Sequence, residues 1–342
     1  MLKIKHIILL LTVLGYAAFG QFQTEVSNVG TNAASFLEIG VGARAMAMGG
    51  SYTALSNDPT AMYYNPAGIV WMNNIQLELM HNEWLVGTNF EYLATSMPLP
   101  MFNAAVGVSF TMLDFGEQPV RTVENPEGNG LTYGARSFAV GVTYAQSLTD
   151  RFSFGLTGKY INEKILNVSG GTTAIDLGIF YLTPVEGMKL GMSISNFGGQ
   201  IRLDGRDLDT VLDPNENVTT IDNVPVSYKV GSYPLPQIFR AGISYSKQLG
   251  SFSEVTLTTD LLHPSNSTES MGFGIEYGFA GTVFLRGGYE NAFEDAGING
   301  LTLGGGIDYQ TPTSLGFRID YAYSDWGILE SVHRFSLGLV FN

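Results

Sequence analysis

The amino-acid sequence predicts an all-β fold, a 14-stranded antiparallel transmembrane β-barrel with an N-terminal plug. Three observations carry that expectation. Segments of about ten residues alternate apolar with small or polar side chains, the charges within them keep to one face, and the connections alternate between short and long. Composition agrees: 14% of the 342 residues are charged, against ~25% in soluble proteins, and there are 42 glycines, 17 tyrosines and 21 phenylalanines. A formal net charge of −14 gives no electrostatic footprint for nucleic acid. The chain has no cysteine, which removes disulfides, thiolate zinc sites, iron–sulfur clusters and cysteine nucleophiles.

Residues 1–20 read as a secretory signal peptide. Lys3 and Lys5 precede an apolar run over 7–18, and Ala18-Phe19-Gly20 is a small-x-small cleavage site, so the mature chain is expected to begin at Gln21. A membrane-anchoring helix is the alternative, but about twelve apolar residues span only ~18 Å of a ~30 Å hydrocarbon core. No other segment approaches eighteen consecutive apolar residues. An exported, apolar chain is then either a secreted soluble protein or an outer-membrane barrel. Residues 21–70 do not alternate and are assigned to the plug; residues 71–342 are assigned to the barrel.

Alternation is regular from Ile75 onward. In 104–113, Val106, Val108, Phe110 and Met112 oppose Ala105, Gly107, Ser109 and Thr111, and 137–145 and 152–160 follow the same period of two. The pattern recurs in 174–182, 188–196, 237–246, 254–262, 270–279, 282–290, 300–309, 315–324 and 332–341; with 75–82 and 88–97 the strands number fourteen. Lys159, Asp176, Arg240, Glu254, Asp260, Glu276, Arg286, Glu290, Asp308, Arg318, Asp320 and Arg334 all fall on the small or polar face. A lipid-facing Arg or Lys at the midplane costs ~2–4 kcal/mol, so this one-sidedness is what a lipid-facing wall requires. Asp176, Arg240, Glu276, Arg286, Asp308, Arg318 and Asp320 are accordingly expected as lumen charges. A soluble β-sandwich also alternates. The leader, the low charge, and Tyr160, Tyr181, Tyr245, Tyr277, Tyr289, Tyr309 and Tyr323 near strand ends favour the barrel.

The short connections, 98–101, 148–151, 183–187, 248–251, 280–281 and 311–313, are read as periplasmic turns. The long ones, 115–134, 163–172, 198–234, 263–269, 291–297 and 324–331, are read as external loops; 83–87 is external by position yet short. The longest, 198–234, has 37 residues and carries Tyr228, Tyr233 and Pro234 as anchors for a partner-binding loop. A loop that only shields the barrel mouth is the plainer alternative.

Two blocks in the plug are distinctive: FLEIGVGARAMAMGG over 36–50 and ALSNDPTAMYYNPAG over 54–68. They resemble the N-terminal signature of the PorV/PorQ family of Bacteroidetes outer-membrane proteins. They are more distantly similar to the FadL-type long-chain fatty-acid transporters, whose hatch has a related Asn-Pro-Ala sequence. Ala174-Ile175-Asp176-Leu177-Gly178, Ser195-Asn196-Phe197-Gly198, Phe273-Gly274-Ile275-Glu276-Tyr277 and Leu285-Arg286-Gly287-Gly288-Tyr289 extend the resemblance into the barrel. The resemblance implies a plugged, non-enzymatic barrel in the bacterial outer membrane, surrounded by lipid. It implies a component of type IX protein secretion that binds the C-terminal domains of exported cargo and shuttles them. A FadL-like transporter with a hydrophobic ligand in the lumen is the alternative, and a structural scaffold barrel in an outer-membrane complex is the third reading.

Within the plug, Gly40, Gly42, Gly49 and Gly50 permit tight turns in a crowded lumen. Arg44 needs carboxylate partners, for which Asp176, Glu276, Asp308 and Asp320 are the candidates. Thr53-Ala54-Leu55 is expected to begin a short helix ending before Asp58-Pro59. Asn65-Pro66-Ala67 is expected to fix a turn, with Asn65 bonding local backbone. These residues either hold the plug or contact a ligand directly. Asp260, His263 and Ser265 superficially suggest a hydrolase group, but no oxyanion element accompanies them. Asp204, Asp207, Asp209, Asp213 and Glu216 do not fit a calcium-loop spacing. Gly304-Gly305-Gly306 lacks the strand-to-helix context of a phosphate loop. No catalytic residue, metal site or cofactor is assigned.

Overall fold

A sheet with lipid on one side must leave no open edge, because unpaired backbone groups have no water to bond there. The computed structural model describes residues 28–212, 224–294, 300–310 and 315–341. The signal peptide, the start at Gln21 and the turn 311–313 lie outside the described residues. Among those described, fourteen long strands form the wall. They are β1 (Ile75–Trp84), β2 (Thr88–Leu99), β3 (Ala104–Pro119), β4 (Thr132–Thr149), β5 (Phe152–Ile165), β6 (Val168–Leu182) and β7 (Met188–Gly198). The second half is β8 (Ile238–Gln248), β9 (Ser253–Pro264), β10 (Ser270–Phe279), β11 (Val283–Ala292), β12 (Leu301–Gln310), β13 (Leu315–Asp325) and β14 (Ser331–Phe341). Each pairs antiparallel with the next, and β14 returns to β1 from Ile75↔Phe341 to Glu83↔His333, which closes the cylinder.

The faces follow the period of two. Leu93, Val108, Val142, Leu156, Leu177, Ile194, Leu257, Ile275, Leu285, Ile307 and Ile319 are exposed on the outside. Asp176, Arg240, Glu276, Arg286, Arg318 and Asp320 are buried inside. Tyr181, Tyr245, Tyr277 and Tyr309 stand near the short-turn end, and Tyr160 and Tyr289 near the other, as interfacial girdles do.

Two connections differ from their reading as loops. The 115–134 segment is strand at both ends, because β3 runs to Pro119 and β4 starts at Thr132, which leaves 120–131 as the loop. The 163–172 segment is a hairpin turned at Leu166 (φ 53°) and Asn167, with Glu163 opposite Gly170. Above the bilayer both faces meet water, so pairing continues where the apolar alternation stops. The β1–β2 connection is short, only Leu85–Gly87. Within the long connection after β7, Gln200–Ile201 pairs with Tyr233–Pro234, and Asp209–Leu212 with Val224–Ser227. Residues 213–223 of that connection lie outside the described residues.

Residues 34–72 fill the cylinder. They form a 3₁₀ turn (Ser35–Glu38), two one-turn helices, α1 (Ala43–Met46) and α2 (Ala61–Tyr64), and a second 3₁₀ stretch (Pro66–Trp71). Thr53-Ala54-Leu55 is a turn rather than a helix: Leu55 and Ser56 N–H both donate to Tyr52 O, and the Ser56 hydroxyl takes the same carbonyl. Val41, Met48, Tyr52, Leu55, Met62, Tyr64 and Ile69 pack with Met80, Phe90 and Tyr92 of the wall as the main core.

Glycines set the distance between this inner segment and the wall. Cβ atoms added to Gly155, Gly178 and Gly191 would lie 2.4, 2.2 and 2.3 Å from atoms of Ala67, Asn65 and Thr53. On the opposite side, a Cβ on Gly288 would meet the Gly49 nitrogen at 2.3 Å, and one on Gly274 the Met48 carbonyl at 2.6 Å. Gly49 itself has φ +64°, so it is doubly constrained. Gly288→Ala and Gly178→Ala are therefore expected to unseat the inner segment and destabilise the detergent-solubilised barrel by ~1–3 kcal/mol. Gly158→Ala, whose added Cβ meets nothing within 4 Å, is the control. Equal melting curves for all three variants would remove the packing argument.

Candidate functional site

The inner segment is fixed by charge as well as by shape. Arg44, on α1, donates from Nε and Nη2 to both oxygens of Glu276 on β10, at 2.9 and 2.7 Å. Glu276 Oε2 also accepts from Arg286 Nε at 2.6 Å, and Arg286 Nη1 donates to Asp320 at 2.6 Å. Arg318 lies beside Asp320 at 3.3 Å and reaches Glu78 on β1 at 2.7 Å and Asp58 at 3.6 Å. Asp58 lies 3.8 Å from Arg44, which closes a ring of three guanidinium groups and three carboxylates, with Glu78 attached to it through Arg318. Asp58 also accepts from the hydroxyls of Tyr52 and Thr60 and from the Thr60 N–H. Burial alone would push its carboxyl up. Arg318 and Arg44, with the Thr60 and Tyr52 hydrogen bonds, hold it below the usual carboxylate range. For Arg44 the order is the same. Burial opposes the charge, but Glu276 and the groups around it raise its pKa well above the ordinary arginine value.

Of the four wall carboxylates that the sequence offers to Arg44, the structure brings only Glu276 into contact. Asp320 is reached through Arg286 and Arg318. Asp176 is 2.8 Å from Lys159 on the far side of the lumen, and Asp308 lines a cavity at the short-turn end. Asn65 is wholly buried. Its Oδ1 accepts from Ala67 N–H at 3.2 Å, which is the local bond, and its Nδ2 also donates to Thr53 O and to Ile179 O on β6. Pro66 lies against Gly178 and Gly155, and Gly49 and Gly50 form the turn after α1. Tyr228, Tyr233 and Pro234 are exposed on the long connection, at 68% and 48% for the two tyrosines.

Sequence reasoning missed Glu78, which sits inside on β1 and joins the ring through Arg318; its position on the polar face was the available signal. It also missed the purpose of Asp260. That carboxylate accepts from Tyr52 and Thr53 N–H at 3.0 and 2.9 Å and clamps the inner backbone to β9. His263 alternates to the other face of the same strand, exposed and 3.0 Å from Glu269, and the Ser265 hydroxyl accepts from Gln237 N–H. The three residues thus form no joint group.

Two hollows flank the inner segment. One of about 480 Å³ lies at the short-turn end, with Arg44, Lys189, Glu254 and Glu276 in its lining. One of about 420 Å³ lies at the long-loop end, lined by Phe36, Trp84, Ile238, Arg240, Trp326 and Arg334 among others. The wall between them is continuously hydrogen-bonded, with local register shifts only, for example where Asn196 (φ 63°) donates its N–H to Asp176.

Residues 22–218 match the family model of PorV, the type IX secretion system protein. The chain belongs to the PorV family. It is a β-barrel of the bacterial outer membrane, in a family of type IX secretion. Among solved structures it is similar to the P. putida toluene transporter TodX, with a TM-score of 0.56 and 12% identity over 89% of this chain and 98% of that one. It is also similar to the CymD monoaromatic hydrocarbon channel (0.57, 15%, 88% and 97%) and to the Ralstonia pickettii toluene transporter TbuX (0.52, 16%, 88% and 97%). Likeness at these identities shows the fold alone. No curated protein matches the chain at a significant level.

Removing Arg44 leaves Glu276 with Arg286 alone and Asp58 with Arg318 alone. Arg44→Ala is expected to cost about 3 kcal/mol, the low end for breaking a buried pair, because both carboxylates keep one guanidinium. Thermal melts in detergent of Arg44→Ala, Glu276→Gln and the double variant check this. The double variant should lose less than the sum of the two, and strict additivity would show that the pair is not coupled.

Proposed function

We propose that the chain is a non-enzymatic carrier in type IX secretion that binds exported protein at its outer mouth. One observation carries this reading above transport: the lumen is occupied by an inner segment held by the ion-pair ring, inside a wall whose ladder is continuous. A conduit needs a path, and here a path requires both a broken ring and an opened wall. The mouth, by contrast, offers recognition surface. The long connection is anchored to the inner segment through Ala33 N–H to Pro234 O at 2.9 Å, and it buries Ile201 and Leu235. Its outer side presents Tyr228 and Tyr233 to solvent, the residue type that dominates protein interfaces.

A second reading, passage of hydrophobic small molecules, is favoured by the apolar hollow of about 690 Å³ beside Trp84, Leu113, Phe115 and Leu203, and by the similar fold of the toluene transporters TodX and TbuX and the hydrocarbon channel CymD. The two readings differ in one measurement. Tagged protein recovered from its own cells should carry exported polypeptides, and Tyr228→Ala/Tyr233→Ala should lower their recovery at least about tenfold with an unchanged melting curve. Unchanged recovery, together with hydrocarbon uptake into liposomes holding the purified barrel, would replace the carrier reading with the transport one.

A further inference from the structure

The hollow at the long-loop end contains an arginine whose hydrogen-bond donors the protein leaves unmet, with the Glu290 carboxylate of the same lining acting on its charge from beyond hydrogen-bond reach. Arg334, on β14, is fully buried. Its Nη1 donates to Ser324 Oγ at 2.8 Å, and its plane lies over the Trp84 ring at 5.4 Å. Its Nε and Nη2 have no hydrogen-bond acceptor, and among the described residues no ion pair reaches it. The Trp326 indole N–H, in the same lining, also has no acceptor. Directly across the ladder, Asn82 is fully buried with its side-chain amide unpartnered. Leaving a buried charged donor unmet is among the costliest arrangements a protein keeps. The apolar part of the lining is aromatic and aliphatic: Phe36, Ile238 and Leu262, with Trp84 and Trp326 edge to face at 5.0 Å.

Unmet donors call for an acceptor, and a planar fork of two N–H groups matches a carboxylate. Glu38, Glu290 and Glu294 also line the hollow. Asn266 donates to Glu38 and Ser267 to Glu294, so these two are engaged by neighbours. The lining thus sets three carboxylates against the guanidinium groups of Arg240 and Arg334, which disfavours a dianion such as phosphate more strongly than a single negative charge.

We propose that this hollow is a carboxylate-binding site, in which an apolar body rests against Trp84 and Trp326 while its carboxylate takes the free N–H groups of Arg334 and Trp326. Such a group has two natural sources, the free C-terminus of a polypeptide ending in apolar residues and a free aliphatic acid. The site goes beyond the carrier reading and does not depend on it.

Four probes test it on the full purified barrel, read by tryptophan fluorescence: a ten-residue peptide ending in valine with a free carboxylate, the same peptide amidated, decanoate, and decanol. At least one acid should bind at least about tenfold more tightly than its neutral twin. Arg334→Met should abolish that preference, since it removes the guanidinium fork that the carboxylate would take. Trp326→Phe, which keeps the ring but deletes the N–H, should weaken it severalfold and serves if Arg334→Met fails to assemble. A preference for the acid peptide alone assigns the polypeptide source; one for decanoate alone assigns the aliphatic acid and leaves the site standing even if the carrier reading falls. Equal binding of acid and neutral twins, binding of none of the four, or an intact preference in Arg334→Met or Trp326→Phe would overturn the proposal.

Discussion

A charge inside a lipid-wrapped cylinder has only the other lumen groups and trapped water to solvate it. Each arginine on the inner face of this barrel therefore needs a partner from the wall or from whatever fills the wall. The network of Arg44, Glu276, Arg286, Asp320, Arg318, Glu78 and Asp58 meets that demand with groups from four wall strands and two points on the inner segment. Without the inner segment, Glu276 and Arg318 would each lose a partner of opposite charge. The plug's place in the lumen is thus an electrostatic requirement of the wall, and the glycine contacts refine its position.

The wall was legible because lipid enforces a strict rule. Outward positions must be apolar and inward positions are free to be polar, so strands 104–113 and 152–160 announce themselves by alternation. Where lipid ends, so does the signal, which is why the outer extensions of β3 to β6 read as loops although their pairing continues. The inner segment was legible only as the absence of alternation plus a family resemblance. Its helices are one turn each and take their shape from tertiary contacts, as Thr53-Ala54-Leu55 illustrates by forming a turn instead.

Pair partners were the least legible part. Alternation assigns Asp176, Glu276, Asp308 and Asp320 equally to the lumen, and nothing local tells which of them Arg44 will meet. That choice depends on barrel shear and on where α1 sits against β10, both set by contacts far apart in sequence. Asp260 makes the same point. Read beside His263 and Ser265 it looks like chemistry, yet strand alternation sends it inward and His263 outward, and two backbone N–H groups claim its carboxylate.

The inner segment touches both ends of the chain's circuit. Ala43 N–H donates to Ser336 on β14, Gly49 N–H to Thr302 on β12, and Asn65 reaches β6. The segment that precedes the first wall strand is therefore bonded to the fourteenth, the strand whose pairing with β1 closes the seam. Seating the core and closing the cylinder are therefore coupled: a wall that lacks β14 has an open edge beside β1 and leaves the Ala43 N–H without the Ser336 hydroxyl.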